Sequence, residues 1–415
     1  MEEQRKRIID HNEHMLHVFI VSYRQFVSPT DFFSILVNRF KTVKEKESRL
    51  AVLKMLGVWL DKYMARDFFF HDKGNRLFDQ LLKFIDSMVE MGYQEEGNKL
   101  KLLILRIKAG LHDSGRPRLL AASMITPILR NRTAEDKGSK ALERSTSSGD
   151  LETLGDSAAG DDAYKKFSLC EMPLVELAEQ LTLIELQMFR AIREREFLNL
   201  NWKKPENKRN SRHVVKMVER FNKVSYWVAT RIVRETDLKR RTSLVKRFII
   251  LAEKCAELNN FNTLMEVLAG LNLHPVQRLK QTWSNLSPKY QESMKNLEAL
   301  MENKHNYKNY RDRLNYIKEI GQPTLPYLGV YLRDLTFIEE GNNTISEDGL
   351  VNYEKIQLIG EVIREVQYFQ AHSVYTDLVP ATTPTTVKYL KKLRGLKTDQ
   401  LDEKSKECEP PRNPQ

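Results

Sequence analysis

The residues best placed to do chemistry lie in LPYLGVYLRDLTFIEEGNN, residues 325–343. There Arg333, Thr336, Phe337 and Glu340 follow one another at helical spacings of three and four. A helix starting near Tyr327, with Pro326 in its first turn, puts these four on one face. Leu328, Tyr331, Leu332, Leu335 and Ile338 share another face, which docks onto a core. A ring, a hydroxyl and opposite charges together are unusual for a merely solvated side. This face is therefore expected to touch something outside the chain, and Gly341 with the two following Asn to end the helix.

Covalent and cofactor chemistry find little support elsewhere. The chain contains no GxxxxGK[ST], GxGxxG, HExxH, GxSxG, CxxC or EF-hand pattern. HNEH, residues 11–14, has two histidines three apart, with no further candidate ligands nearby, and reads as a solvated helix start. No metal and no cofactor is expected. Whatever chemistry the chain does is done on a partner's site.

These residues need helices to position them. In VVKMVERFNKVSYWVATRIV the apolar residues Val214, Met217, Val218, Phe221, Val224, Val228 and Ile232 recur at three- and four-residue steps. KRFIILAEKCAEL repeats this with Phe248, Leu251, Ala252, Cys255 and Leu258, which makes Cys255 a small core residue. An earlier block has Leu50, Leu53, Leu56 and Leu60, then Phe78, Leu81, Leu82 and Ile85. The fold class is all-α, with little strand signal. LVNYEKIQLIGEVIREVQYFQ, residues 350–370, supplies an antiparallel partner for the first helix through Ile356, Ile359, Ile363 and Val366. Between the blocks, residues 130–166 are poor in large apolar residues and rich in Ser, Gly, Asp and Glu, the composition of a flexible linker. Its RSTSSGD run reads either as plain linker or as a phosphorylation site at Ser147.

At 415 residues the chain has room for two domains, and its 41% hydrophobic and 30% charged residues exclude a largely disordered protein. No apolar run is long enough to span a membrane, and the first residues lack a secretory apolar core. Cys170, Cys255 and Cys408 are far apart and odd in number, which suits a reducing, cytoplasmic compartment. The net charge of +11 is spread along the chain, with short clusters at 239–247 and 389–397. Nucleic acid is therefore not expected as a partner; an acidic protein or anionic headgroups fit the charge equally well.

The second block resembles the Cdc-twenty-five homology domain, the catalytic domain of the guanine nucleotide exchange factors for Ras-family GTPases. The likeness covers residues 167–411. Its motifs are LAEQLTLIELQMFRAIREREFL at 177–198, RFNKVSYWVATRIV at 220–233, ELNNFNTLMEVLAGLNLHPVQRL at 257–279 and PYLGVYLRDLTFIEEGN at 326–342, in the expected order. FIVSYRQFVSPTDFF at 19–33 and RLAVLKMLGVWLDKYMARDFF at 49–69 make residues 1–129 similar, more loosely, to the Ras exchanger motif domain. The family usually has another short segment before the position of His17, so either the chain begins late or that piece is absent.

The resemblance implies a protruding helical hairpin that opens the nucleotide site of a small GTPase, Ras or its relative Rap. It puts Thr336 and Phe337 beside the GTPase's Mg²⁺ site, although many members have an aliphatic residue at the position of Thr336. Glu340 matches the carboxylate that competes with phosphate. Met265 and Tyr327 match an apolar pocket for the GTPase's second switch, Asn272 a polar contact, and Arg247 a basic residue facing the switch's acidic side. Arg333, on the wedge, tunes the choice of GTPase. Asn272, taken as buried, needs a hydrogen-bond partner such as a helix end. Small polar residues are common in the family at the position of His274, and Arg278 reads as a structural ion-pair former. The implied activity is nucleotide release and GTP loading; the alternative is an inactive GTPase-binding scaffold of the same fold. The implied location is cytoplasmic, with recruitment to the inner face of the plasma membrane compatible with the charge.

Overall fold

The computed structural model describes residues 15–16, 18–64, 67–68, 76–109, 173–379 and 384–411. They fall into two compact units, residues 15–109 and residues 173–411. The segment read as a linker, residues 130–166, lies outside the described residues, as do the HNEH run, Ser147 and Cys170. Among the described residues there is no β-strand, only two isolated bridges, Asn260 with Leu325 and Ile345 with Val351.

Among its described residues the first unit packs the helices α1 (Pro29–Thr42), α2 (Lys46–Met64), α3 (Arg76–Glu90) and α4 (Gln94–Lys108). Ser28 starts α1, its hydroxyl accepting from the Asp31 N–H at 3.1 Å, with Pro29 pre-set for the first turn. Tyr23, Phe32, Trp59 and Phe68 form a buried aromatic core. Asp67, itself buried, accepts from the Tyr23 hydroxyl, the Arg24 guanidinium and the Trp59 indole, so its charge is satisfied where water cannot reach.

The second unit holds α5 (Leu174–Ala191), α6 (Arg212–Val233), α7 (Leu238–Glu257), α8 (Phe261–Leu271), the short α9 (His274–Gln277) and α10 (Lys280–Ser284), α11 (Pro288–Met301), α12 (Lys308–Glu319), α13 (Leu328–Gly341), α14 (Tyr353–His372), α15 (Pro384–Lys391) and α16 (Thr398–Cys408). α8 is the hub, packed against α5, α6, α7 and α11. Asp237, Asn260 and Asn352 cap α7, α8 and α14, each side chain accepting a backbone N–H three residues on. Cys255 is fully buried in α7, and burial pushes its thiol well above the ordinary range. It is a core residue.

Three expectations are corrected. Val218 is 39% exposed; the buried line of α6 runs through Met217, Arg220 and Val224 instead. Arg220 points inward because the buried Glu185 carboxylate lies 3.6 Å away. Arg278 is structural, but it bonds the backbone carbonyls of Ser405 and Glu409 and the Ser405 hydroxyl rather than a carboxylate. Pro326 precedes the N-cap of α13, Tyr327, and lies outside the first turn.

Candidate functional site

The start of α13 is tied to the start of α8. Phe261 N–H donates to the Leu325 carbonyl at 2.9 Å, and Leu325 N–H donates to the Asn259 carbonyl at 3.0 Å. Asn262 extends this tie: its Oδ1 accepts from the Leu328 N–H at 3.3 Å, satisfying one orphan donor of α13. Its Nδ2 donates to Glu185 at 2.9 Å and Glu266 at 3.2 Å. Both carboxyls are fully buried. Burial, then the charge of Glu185 and a hydrogen bond to it, drive Glu266 well above the usual carboxylate range, against the pull of Arg220.

α13 then packs against α14. Leu328, Tyr331 and Leu335 are buried on one side, and Ile356, Ile359, Ile363 and Val366 of α14 are all fully buried. At the far end, Lys355 near the start of α14 pairs with Glu339 near the end of α13 at 2.6 Å. Arg311 of α12 grips Asp334 through two 2.8 Å bonds. α13 ends at Gly341 with no left-handed residue; Asn342 is extended, and its side chain donates to the Ile338 carbonyl at 3.1 Å.

The other side of α13 carries the mixed face. Phe337 is 57% exposed, and the Arg333 guanidinium lies 5.2 Å from its ring and 5.4 Å from that of Tyr307. The Tyr307 ring packs edge-on against Tyr327, and Tyr327 against Phe221 of α6, so a cation and four rings join α13 to α6. Gly329 allows this: a Cβ there would lie 2.3 Å from the Tyr327 ring carbon Cζ. His305, Asn306 and Tyr307 are all left-handed, at φ of 47°, 56° and 61°, which turns the chain to bring Tyr307 in. Burial, Tyr307 and Glu266 push the Tyr327 hydroxyl up to about 12, so at neutral pH it keeps its proton. The Thr336 hydroxyl donates to its own helix, to the Leu332 carbonyl at 2.8 Å, so what it can offer a partner is its methyl. Glu340 pairs with Lys203 at 3.1 Å, both largely in water.

α8 is buried on every side except along one line. Met265 and Ala269 are half-buried, and Asn272, the C-cap, is exposed. Spacings of four and three put the three on one edge. Asn272 is thus corrected from buried to exposed, its Oδ1 accepting from the Gln277 side chain at 2.7 Å. α7 and α8 pack together across the turn at 258–260, so half-buried Arg247 and Asn272 lie at the same end of that pair. Arg333, Phe337 and Tyr327 are thereby joined in one ring cluster, Glu340 lies one turn further out, and Met265 and Asn272 share a separate edge.

The RasGEF domain family matches residues 176–357. Residues 176–357 are a RasGEF domain. It runs from α5 into the first turn of α14 and contains both the α8 edge and the α13 face. Similar curated proteins come from Dictyostelium discoideum. Ras guanine nucleotide exchange factor Y is 33% identical over 374 residues, 90% of this chain and 22% of that relative. Factor P is 43% identical over 201 residues, 48% of this chain and 13% of that relative. Factor A is 30% identical over 372 residues, 87% of this chain and 55% of that relative. The matches thus span from 13% to 55% of the length of these relatives.

Sequence reasoning missed four residues that shape the RasGEF domain's site: Lys203, Asn262, Tyr307 and Lys355. Only Asn262 had a legible signal, since a polar residue amid the apolar run of α8 needs buried partners.

Proposed function

We propose that this chain is a guanine nucleotide exchange factor for a Ras-family small GTPase, Ras first and Rap second. The observation that carries this reading is the RasGEF domain match, which encloses the α8 edge and the α13 face together. In this reading α13 and α14 form the hairpin that enters the nucleotide site. The Thr336 methyl and the Phe337 ring crowd the Mg²⁺ position, and Glu340 takes over polar groups that held phosphate. Arg247, Met265, Asn272 and Tyr327 hold the GTPase's second switch segment, and Arg333 on the wedge tunes the choice of GTPase. Glu340 must first leave Lys203, which costs little, since an exposed ion pair contributes about 0–1 kcal/mol.

No general acid, base or nucleophile is required. The exchanger binds the nucleotide-free GTPase more tightly than the loaded one, so by linkage nucleotide binds the complex more weakly. GTP loading follows where GTP exceeds GDP. We also assign the first unit as the Ras exchanger motif domain, bounded at residues 1–129, with 130–166 as linker and 167–411 as the catalytic domain.

The test is release of fluorescent GDP from a panel of Ras and Rap proteins, with Glu340→Ala alongside. Accelerated release from at least one, cut roughly tenfold or more by the substitution, is expected. Binding of a nucleotide-free GTPase with no acceleration would replace the reading with a scaffold; no binding at all would refute both.

A further inference from the structure

The cluster YLKKLRGLK has no part in the proposed GTPase site, and it gathers its cations in a stretch of chain without acids. Lys388, Lys391, Lys392, Arg394 and Lys397 are all exposed, and no acidic residue occurs between 384 and 397. None of the five forms a side-chain ion pair or hydrogen bond with a side chain among the described residues. Some other surface lysines are neutralised locally, Lys99 by Glu95, Lys254 by Glu257, Lys308 by Asp312 and Lys404 by Glu407. Along the sequence the next acid is Asp399, two residues past the end of the cluster.

The backbone beneath these cations is held firmly. Leu390 and Leu393 are buried at 0% and 1% exposure. Arg220 donates to the Leu390 carbonyl, and Leu396 N–H donates to the Thr230 hydroxyl at 2.8 Å. Gly395 lies so close to α6 that a Cβ would come within 2.5 Å of the Tyr226 Cβ, so only glycine permits the approach. Every third residue or so is pulled inward, and the cations between them are left on the outer side. The result is a strip of five exposed positive charges on an anchored backbone, with no ion pair to them among the described residues.

We propose that this strip is a contact surface for an anionic lipid bilayer. A bilayer surface of phosphates and carboxylates matches a cluster of exposed cations, each of which gains by nearing a negative surface. Single-stranded nucleic acid fits less well, because it calls for exposed rings on which bases stack. Tyr389, the one aromatic here, is half-buried, and its hydroxyl accepts from the Trp227 indole at 3.0 Å. The proposal does not depend on the exchange reading.

The test is sedimentation of the 415-residue chain with vesicles of phosphatidylcholine alone or with about one-third phosphatidylserine. Retention only on the anionic vesicles, falling as salt rises, is expected. Lys391→Glu with Lys392→Glu should weaken it by roughly twentyfold or more, since each is a charge reversal and one cation alone is worth about fivefold. Arg394→Glu with Lys397→Glu should do the same. Lys99→Glu with Lys101→Glu, equal in net charge, should leave most of the retention. Equal retention on both vesicles, or equal loss in the control pair, would overturn the proposal. So would a strip variant that loses binding to polyuridylate but keeps its hold on vesicles.

Discussion

Lys355→Met tests how the end of α13 is held. The Lys355 side chain is 3% exposed and bonds Glu339 Oε2 at 2.6 Å and Thr344 Oγ1 at 2.9 Å. At 2.6 Å and an effective dielectric near 20, the pair attracts by about 6 kcal/mol, much of which desolvation offsets. Removing one partner of a buried pair costs about 3–5 kcal/mol, because the other charge stays behind. Glu339 keeps 12% side-chain exposure, so the lower end, about 3 kcal/mol, is expected. In a unit of this size that lowers Tm by roughly 6–12 °C. The apolar seam of Ile356, Ile359 and Ile363 remains, so the damage is local to the far end of the helix pair. Calorimetry of the second unit's transition, with amide exchange across residues 336–345, reads both effects. Glu339→Leu added to Lys355→Met should restore most of the loss, since no charge is then stranded. A Tm within about 2 °C of the parent with unchanged exchange would refute the reasoning.

Two further outcomes are expected. Gly329→Ala puts a methyl where the Tyr327 ring lies, yet Ala favours a helix by about 1 kcal/mol over Gly. Titration with a nucleotide-free GTPase should therefore show affinity falling about tenfold while Tm holds or rises; parallel losses in both would contradict the role given to the ring. Glu409 is nearly buried, which by itself raises its pKa, but N–H groups of Gln281 and Thr282, the Thr282 hydroxyl and Arg241 outweigh this and hold it below the ordinary 4.5. A depressed carboxyl stabilises the fold above the unfolded pKa, and that contribution is lost as pH falls through the folded value. Glu409→Gln should thus lower Tm at pH 7, with the gap to the parent closing as the pH falls from the ordinary 4.5 through the lower folded value. A gap that stays constant with pH would show that the carboxylate charge is irrelevant there.

The helices were legible because their signal is local. Phe248, Leu251, Ala252 and Cys255 at 3.6-residue periodicity already state which side of α7 is buried, and Ile356, Ile359, Ile363 and Val366 do so for α14. The mixed face of α13 was legible for the same reason. Where the periodic reading failed, a polar group was involved. It placed Val218 inside because apolar counting cannot foresee that Glu185 and Glu266 draw Arg220 into the core. It placed Asn272 inside because the run around it is apolar, whereas the chain leaves α8 at that residue and exposes it.

By itself, then, the sequence determined that the chain is helical, which faces of its helices are apolar, and which residues stand together on the outer side of α13. Only the tertiary structure decided their partners. Lys203 meets Glu340 across 137 residues, Tyr307 enters between Arg333 and Tyr327 through three left-handed residues, and Asn262 ties the base of α13 to α8. Helical periodicity repeats within a few residues, while these pairings depend on chain reversals whose directions are set only once the core has packed.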